Sequence, residues 1–128
     1  MLIIDSRGVN RLAERSTRTL ALVRALHAGD LWPPIAPTVV LVESSQGHRG
    51  RDATTNRFLT TRAIETLVTE QTARRPAELR RRARHRSAVD AIVVALAEPG
   101  GTVITGDKAD NEAIVAHAHA HHVTVETI

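Results

Sequence analysis

Four carboxylates stand where carboxylates are expensive. Asp5 follows the apolar run Leu2-Ile3-Ile4, Glu43 follows Val39-Val40-Leu41-Val42, Asp90 interrupts the apolar stretch 88–97 (AVDAIVVALA), and Asp107 lies just past Val103-Ile104. A carboxylate in apolar surroundings destabilises a fold unless it is paired, hydrogen-bonded or bound to metal. None of these apolar segments carries a basic residue, whereas the other ten of the fourteen acids lie in polar stretches. If the four converge they need a counter-charge, because like charges a few ångströms apart raise each other's pKa. A divalent cation supplies it, and all-oxygen ligation favours Mg²⁺ or Mn²⁺, which keep several waters and recruit phosphate oxygens. The chain has no cysteine, so thiol catalysis, disulfide scaffolds and zinc ribbons are excluded and any metal must be held by oxygen or imidazole. Helix capping is the competing reading. Ser87-Ala88-Val89-Asp90 matches a capping box, Asp107 could cap the helix that contains Asp110, and Asp5 could cap whatever follows the first strand. Capping does not account for Glu43, nor for all four acids falling against apolar segments.

The elements that would position these acids alternate in type. Leu2-Ile3-Ile4 reads as a buried strand ended by Asp5, and residues 16–29 as a helix stopped by Gly29. Pro33, Pro34 and Pro37 frame a short strand at Ile35-Ala36. Thr38 is placed to cap a helix from Val39 to about His48, and residues 51–62 suit a polar helix. Residues 64–68 alternate as a strand does, the Arg-rich segment takes up helical composition to about Arg86, and Pro76 marks a start or kink within it. Residues 88–97 predict a helix buried all round. A strand at 102–105, a turn at Gly106-Asp107, a helix over 109–121 and a strand at Val123-Thr124-Val125 complete the chain. Strands alternating with helices imply an α/β sandwich with a largely parallel sheet, in which Asp5 and Asp107 fall at strand carboxyl ends, where ligands collect.

The chain's 128 residues make one domain, 1–128, and with 42% apolar but only 2% aromatic residues its core must be built from Ala, Val, Leu and Ile. Collagen-like and disordered classes are excluded. Trp32 and Phe58 are expected as core or interface anchors. Residues 74–86 (RRPAELRRRARHR) hold seven arginines and one glutamate, a local +6 that leaves −3 on the rest of a chain whose formal total is +3. A mildly acidic body with one basic stripe suits an anionic partner, although a solvated helix face enriched in Arg is an equal alternative. Without interleaved aromatics, base stacking is not expected to dominate recognition. His117, His119, His121 and His122 cluster near the carboxyl terminus; His117 and His121 are spaced to share a helix face, but no third ligand is placed to complete a metal site, and the affinity of a helix carboxyl end for His is the simpler account. The uncharged stretch 31–42 contains three prolines, too short and broken to span a bilayer, so a cytoplasmic protein is expected.

Taken in order, Leu2-Ile3-Ile4 with Asp5-Ser6, PTVVLVES with Glu43, SAVDAIVVALA with Asp90 and VITGDKAD with Asp107 resemble the acidic motifs of PIN-domain ribonucleases. Small size makes the chain most similar to the VapC-type toxins of toxin–antitoxin pairs, and the resemblance runs from Leu2 to Val125. It implies a PIN-like three-layer sandwich with a central, largely parallel sheet, and a metal-dependent endoribonuclease using Mg²⁺ or Mn²⁺. Asp5, Glu43, Asp90 and Asp107 would be its metal-binding, catalytic acids, with Asp110 as an accessory ligand. Ser6 and Thr105 match hydroxyl positions that support carboxylates or substrate, their reading as plain turn and strand-end residues being equally open. RNA would be the substrate, a VapB-like antitoxin the partner, and a homodimer the assembly. The sequence departs from the family pattern at Arg7-Gly8, where an apolar residue is usual, and at Lys108. Two other classes remain: a non-catalytic α/β module that binds RNA or a protein through 74–86, and a receiver-like domain built on Asp5 and Lys108, whose acid spacing fits poorly.

Overall fold

The computed structural model describes residues 1–62, 64–66, 68–118 and 123–128, with only the backbone of 61, 62 and 64–66. Its elements are β1 (Leu2–Ile4), α1 (Ser6–Ala13), α2 (Thr17–Ala28), β2 (Ile35–Pro37), α3 (Thr38–Ser44), α4 (Ala53–Arg62), β3 (Ile64–Thr66), α5 (Glu70–Arg82), α6 (Ala88–Ala97), β4 (Thr102–Thr105), α7 (Lys108–Val115) and β5 (Thr124–Thr127). The strands form one parallel sheet in the order β3-β2-β1-β4-β5, with Leu2, Ile3 and Ile4 opposite Thr102, Val103 and Ile104. The chain winds outward from β1 through β2 to β3 on one side and through β4 to β5 on the other. The winding therefore reverses between β1 and β4, and a crevice opens at their carboxyl ends.

The central strands are buried on both faces, as parallel strands covered by helices must be. Leu2, Ile3, Ile4, Val103 and Ile104 join Val9 and Leu12 of α1, Val40 of α3 and Val93 and Ala97 of α6 in the main core. Leu79, Ala91, Val94 and Ile114 form a second cluster that ties α5, α6 and α7 together. Arg75 of α5 reinforces it with two hydrogen bonds of 2.8 Å to the Glu98 carboxylate. Trp32 and Phe58 meet edge to face at 6.2 Å beside the main core.

The α/β class and parallel sheet are as expected, and the departures are local. Helix α1 was not foreseen. Ser6, Gly8 and Asn10 are indifferent or poor helix formers, yet Asp5 caps the helix by accepting from the Gly8 N–H, and Val9, Leu12 and Ala13 bury one face. Thr38 is not a cap: α3 begins at Thr38 behind Pro37, has no side-chain cap bond and ends at Ser44, short of His48. The third strand is described over Ile64–Thr66; position 67 of the expected 64–68 strand lies outside the described residues, and 68 is not in a strand. Helix α5 stops at Arg82 instead of Arg86, with Pro76 buried inside it. Helix α7 stops at Val115, and the last strand is shifted to 124–127. Helix α6 is buried less completely than expected, on Ala91, Val93, Val94 and Ala97.

Gly8 is where the layers come closest. A Cβ there would sit 2.6 Å from the Ile104 carbonyl oxygen and 2.9 Å from Ile4 Cγ1, and a backbone carbonyl within a sheet cannot yield. Gly8→Ala would gain about 1 kcal/mol of helix propensity at an exposed position, but overpacking reverses the sign here. A net loss of about 1–3 kcal/mol is expected in urea unfolding.

Candidate functional site

The crevice at the reversal point is a cavity of about 500 Å³ to which Asp5, Glu43, Asp90, Asp107 and Asp110 all contribute. Five acids separated by up to 105 residues thus meet because β1, α3, α6 and the β4–α7 turn all end or begin at one sheet edge. The helix positions of Glu43 and Asp90 do point to the same edge as Asp5 and Asp107. Their environments, however, differ. Asp5 is buried, with 3% exposure; Asp90, Asp107 and Asp110 are half-buried, and Glu43 is exposed. The apolar run before Glu43 buries only Val40 fully and leaves Val42 78% exposed, so that run did not report a buried carboxylate.

Asp5 is held from three sides. The Gly8 N–H donates to its Oδ1 at 2.6 Å, the Asn111 amide donates to its Oδ2 at 3.1 Å, and its own N–H donates to the Ile104 carbonyl at 3.1 Å. Burial raises its pKa above the ordinary value of 3.8, against the opposing pull of the Thr105 hydroxyl, the Gly8 N–H and the Asn111 amide, with the Asp90 charge adding to the rise. Asn111, on α7 one turn beyond Asp107, is a site residue that sequence reasoning missed. It is 1% exposed, and its carboxamide oxygen has no hydrogen-bond partner among the described residues. The one clue was its helical register with Asp107 on the inner face of α7.

The other acids already have partners. Ser6 donates to Glu43 at 2.8 Å, supporting a carboxylate as its resemblance implied. Asp107 caps α7 by accepting from the Ala109 N–H, and Thr105 accepts from the Asp107 N–H and donates to its carbonyl, both at 2.9 Å. Ser87 caps α6 by accepting from the Asp90 N–H at 3.1 Å. Capping therefore does not exclude a site role for Asp5 and Asp107, since each caps with one oxygen while lining the cavity. Arg7, one hundred residues distant in sequence, pairs with Asp107 and lies 3.8 Å from Asp110. His85 accepts the Ser87 N–H on Nδ1 at 3.2 Å, which leaves the proton of the neutral ring on Nε2, 3.9 Å from Asp110. Arg7 and His85 are further residues that linear spacing could not assign, because their partners lie elsewhere in the chain.

The donors fit a hard divalent cation in chemistry: five carboxylates and the unpartnered Asn111 oxygen offer only oxygen ligands. Among the described residues no three His, Asp or Glu side chains are gathered closely enough to share one ion; Arg7 occupies Asp107 instead. Of the proposed histidine cluster, His119, His121 and His122 lie outside the described residues, and His117 falls beyond the end of α7.

The arginine stripe divides by partner. Arg74 pairs with Glu70, Arg75 with Glu78 and Glu98, and Arg82 with Glu78, while Arg80 donates to the Arg86 carbonyl. Of the seven, only Arg84 and Arg86 line the cavity.

No family model matches the chain, and no curated protein matches its sequence. Among solved structures, a chain in the crystal structure of VapBC2 from Rickettsia felis bound to a DNA fragment from their promoter has the same fold, with a TM-score of 0.73 over 99% of this chain and 98% of that chain. Identity is 12%, so the likeness is one of fold, and an α/β sandwich with a parallel sheet is the architecture of this chain.

The raised pKa of Asp5 has a defined consequence for stability. An acid that is harder to ionise in the folded state opposes folding above its folded-state pKa, and that opposition fades as pH falls through this value toward the unfolded one. Asn caps a helix as well as Asp does. Asp5→Asn is therefore expected to unfold at higher denaturant than the parent at pH 7 in EDTA, with the gap closing as pH approaches 4.

Proposed function

We propose that this chain is a divalent-cation-dependent endoribonuclease of the PIN type, the toxin of a VapBC-like pair. The observation that carries the reading is the convergence of Asp5, Glu43, Asp90, Asp107 and Asp110 on one cavity at the carboxyl edge of a parallel sheet. The fold shared with a VapBC2 chain supports it and supports an antitoxin-like protein as partner. RNA as substrate, a homodimer and a cytoplasmic location complete the proposal; among the described residues no helix is long and apolar enough to cross a membrane.

Asp5, Glu43, Asp90 and Asp107 would hold Mg²⁺ or Mn²⁺, with Asp110 as an accessory ligand. What the ion supplies when bound is a coordinated water of lowered pKa and compensation of charge on the phosphate. The chain's own residues set the stage. Gly8 and Asn111 fix the Asp5 carboxylate, Ser6 fixes Glu43, and His85 faces both Asp90 and Asp110. Arg7 balances Asp107 and Asp110, and would have to leave Asp107 for that carboxylate to hold a divalent cation. Its side chain is 57% exposed, and so open an ion pair contributes little and is readily exchanged.

A non-catalytic module is the second reading, favoured by Arg7's seat on Asp107 and by the absence of a gathered three-residue ligand set among the described residues. It predicts RNA binding without metal-linked stabilisation.

Cleavage of single-stranded RNA is expected to require Mg²⁺ or Mn²⁺, to stop in EDTA and to fall at least roughly a hundredfold in Asp90→Asn, with the circular dichroism of the parent retained. Cleavage by Asp90→Asn at the parental rate would sink the proposal. A second expectation concerns Arg7. Mn²⁺ should raise the melting temperature of the parent, and Arg7→Ala should bind Mn²⁺ roughly two- to tenfold more tightly by calorimetry because the competing cation is gone. Arg7→Lys should behave as the parent.

A further inference from the structure

We infer that Arg84 is a substrate-positioning residue, held in an unfavourable backbone conformation so that its guanidinium faces RNA phosphates at the mouth of the acidic cavity. The inference rests on the proposed function for the identity of the substrate. Helix α5 ends in a Schellman cap: the Arg84 N–H donates to the Arg81 carbonyl at 3.2 Å and the His85 N–H to the Arg80 carbonyl at 3.0 Å. That cap demands a left-handed residue at its pivot, which is glycine in most helices. Here Arg84 occupies the pivot with φ of +50°, a conformation unfavourable for any residue with a Cβ.

Nothing in the fold explains the choice of arginine. The side chain is exposed and has no salt bridge among the described residues, in contrast to Arg74, Arg75 and Arg82 on the helix behind it. Glycine would close the same turn without strain. What arginine adds is a free guanidinium on the lining of a cavity that holds five carboxylates. The turn is cross-linked by hydrogen bonds: Arg80 Nε donates to the Arg86 carbonyl at 3.1 Å, and the Ser87 N–H to His85 Nδ1 at 3.2 Å. Arg84 and Arg86 are thereby aimed from that loop. A phosphodiester chain approaching this acidic centre is repelled unless cations line its path, and a planar fork suits phosphate oxygens. Strain retained at such a place is the pattern expected of a binding position.

The test is Arg84→Gly, with Arg84→Lys and Arg74→Ala beside it, measured by fluorescence anisotropy on a labelled mixed-sequence single-stranded oligoribonucleotide in EDTA, where binding is read without cleavage. Arg84→Gly is expected to melt a few degrees higher than the parent. It should nevertheless bind the RNA roughly three- to tenfold more weakly, with the slope of log affinity against log salt reduced by about one. Arg84→Lys should keep the parental salt slope, and Arg74→Ala should keep parental binding. Unchanged affinity and slope in Arg84→Gly overturn the inference, as does a lower melting point, which would make the residue structural. Metal-dependent cleavage by the parent is scored separately. Cleavage with no Arg84 effect overturns only this inference, whereas an Arg84 effect without cleavage overturns only the nuclease reading. A parent that neither binds RNA in EDTA nor cleaves it with metal overturns both, and one that only fails to bind overturns this inference.

Discussion

Burying one carboxylate at the end of the central strand is the constraint around which the working edge of this protein is organised. Asp5 ends β1, which lies between β2 and β4 with helices over both faces, and only 3% of the residue reaches solvent. Such a group persists only where donors meet it. One donor is the Gly8 N–H, which requires α1 to begin at once and to pass close to the Ile104 carbonyl. Another is the Asn111 amide, which requires α7 to fold back over the β1–β4 crevice. The path of the chain on both sides of the crevice thus follows from satisfying a single side chain.

The remaining charges are layered outward from that centre. Asp90 adds to the raised pKa of Asp5, Arg7 answers Asp107 and Asp110, and Arg84 and Arg86 stand on the cavity lining beyond them. A formal total of +3 conceals this order, because most arginines of the basic stripe are engaged by glutamates on α5 and at the end of α6 or by a backbone carbonyl. The part of the stripe that faces the acids is two residues long. Alternating shells of opposite sign allow an acidic centre to coexist with attraction of a polyanion.

Sequence pattern carried the parallel sheet because β1 and β4 are short apolar runs bounded by polar residues, a period that burial on both faces imposes. It carried the acids at the strand ends for a related reason: a charge directly after such a run has to lie at the sheet edge. It failed where the determinant is tertiary. Helix α1 is favoured by the Asp5 cap and by one buried face more than by its own composition. The stop of α5 at Arg82 depends on a left-handed arginine that no composition rule marks. The apolar run before Glu43 suggested burial, yet α3 is only seven residues long and turns Val42 to solvent. Arg7 and Asp107 meet only because the winding reverses between β1 and β4.

Two features that face this one cavity work against the stability of the fold. Capping explains why a residue with a side-chain oxygen stands at position 5, but Asn or Ser would cap α1 equally well without the penalty of ionising in a buried place. A Schellman cap explains why the chain turns left-handed at position 84, but glycine would do so without strain. In each case the structural role is met by a residue that is not the one best suited to it, and the excess chemistry is a negative charge in the first case and a positive one in the second. The buried Ile3, Ile4, Val9, Val103 and Ile104 beneath the crevice supply the apolar stabilisation against which both are held. That two unfavourable choices of opposite charge lie on the same 500 Å³ cavity is the pattern expected when a site is shaped by a charged ligand rather than by packing.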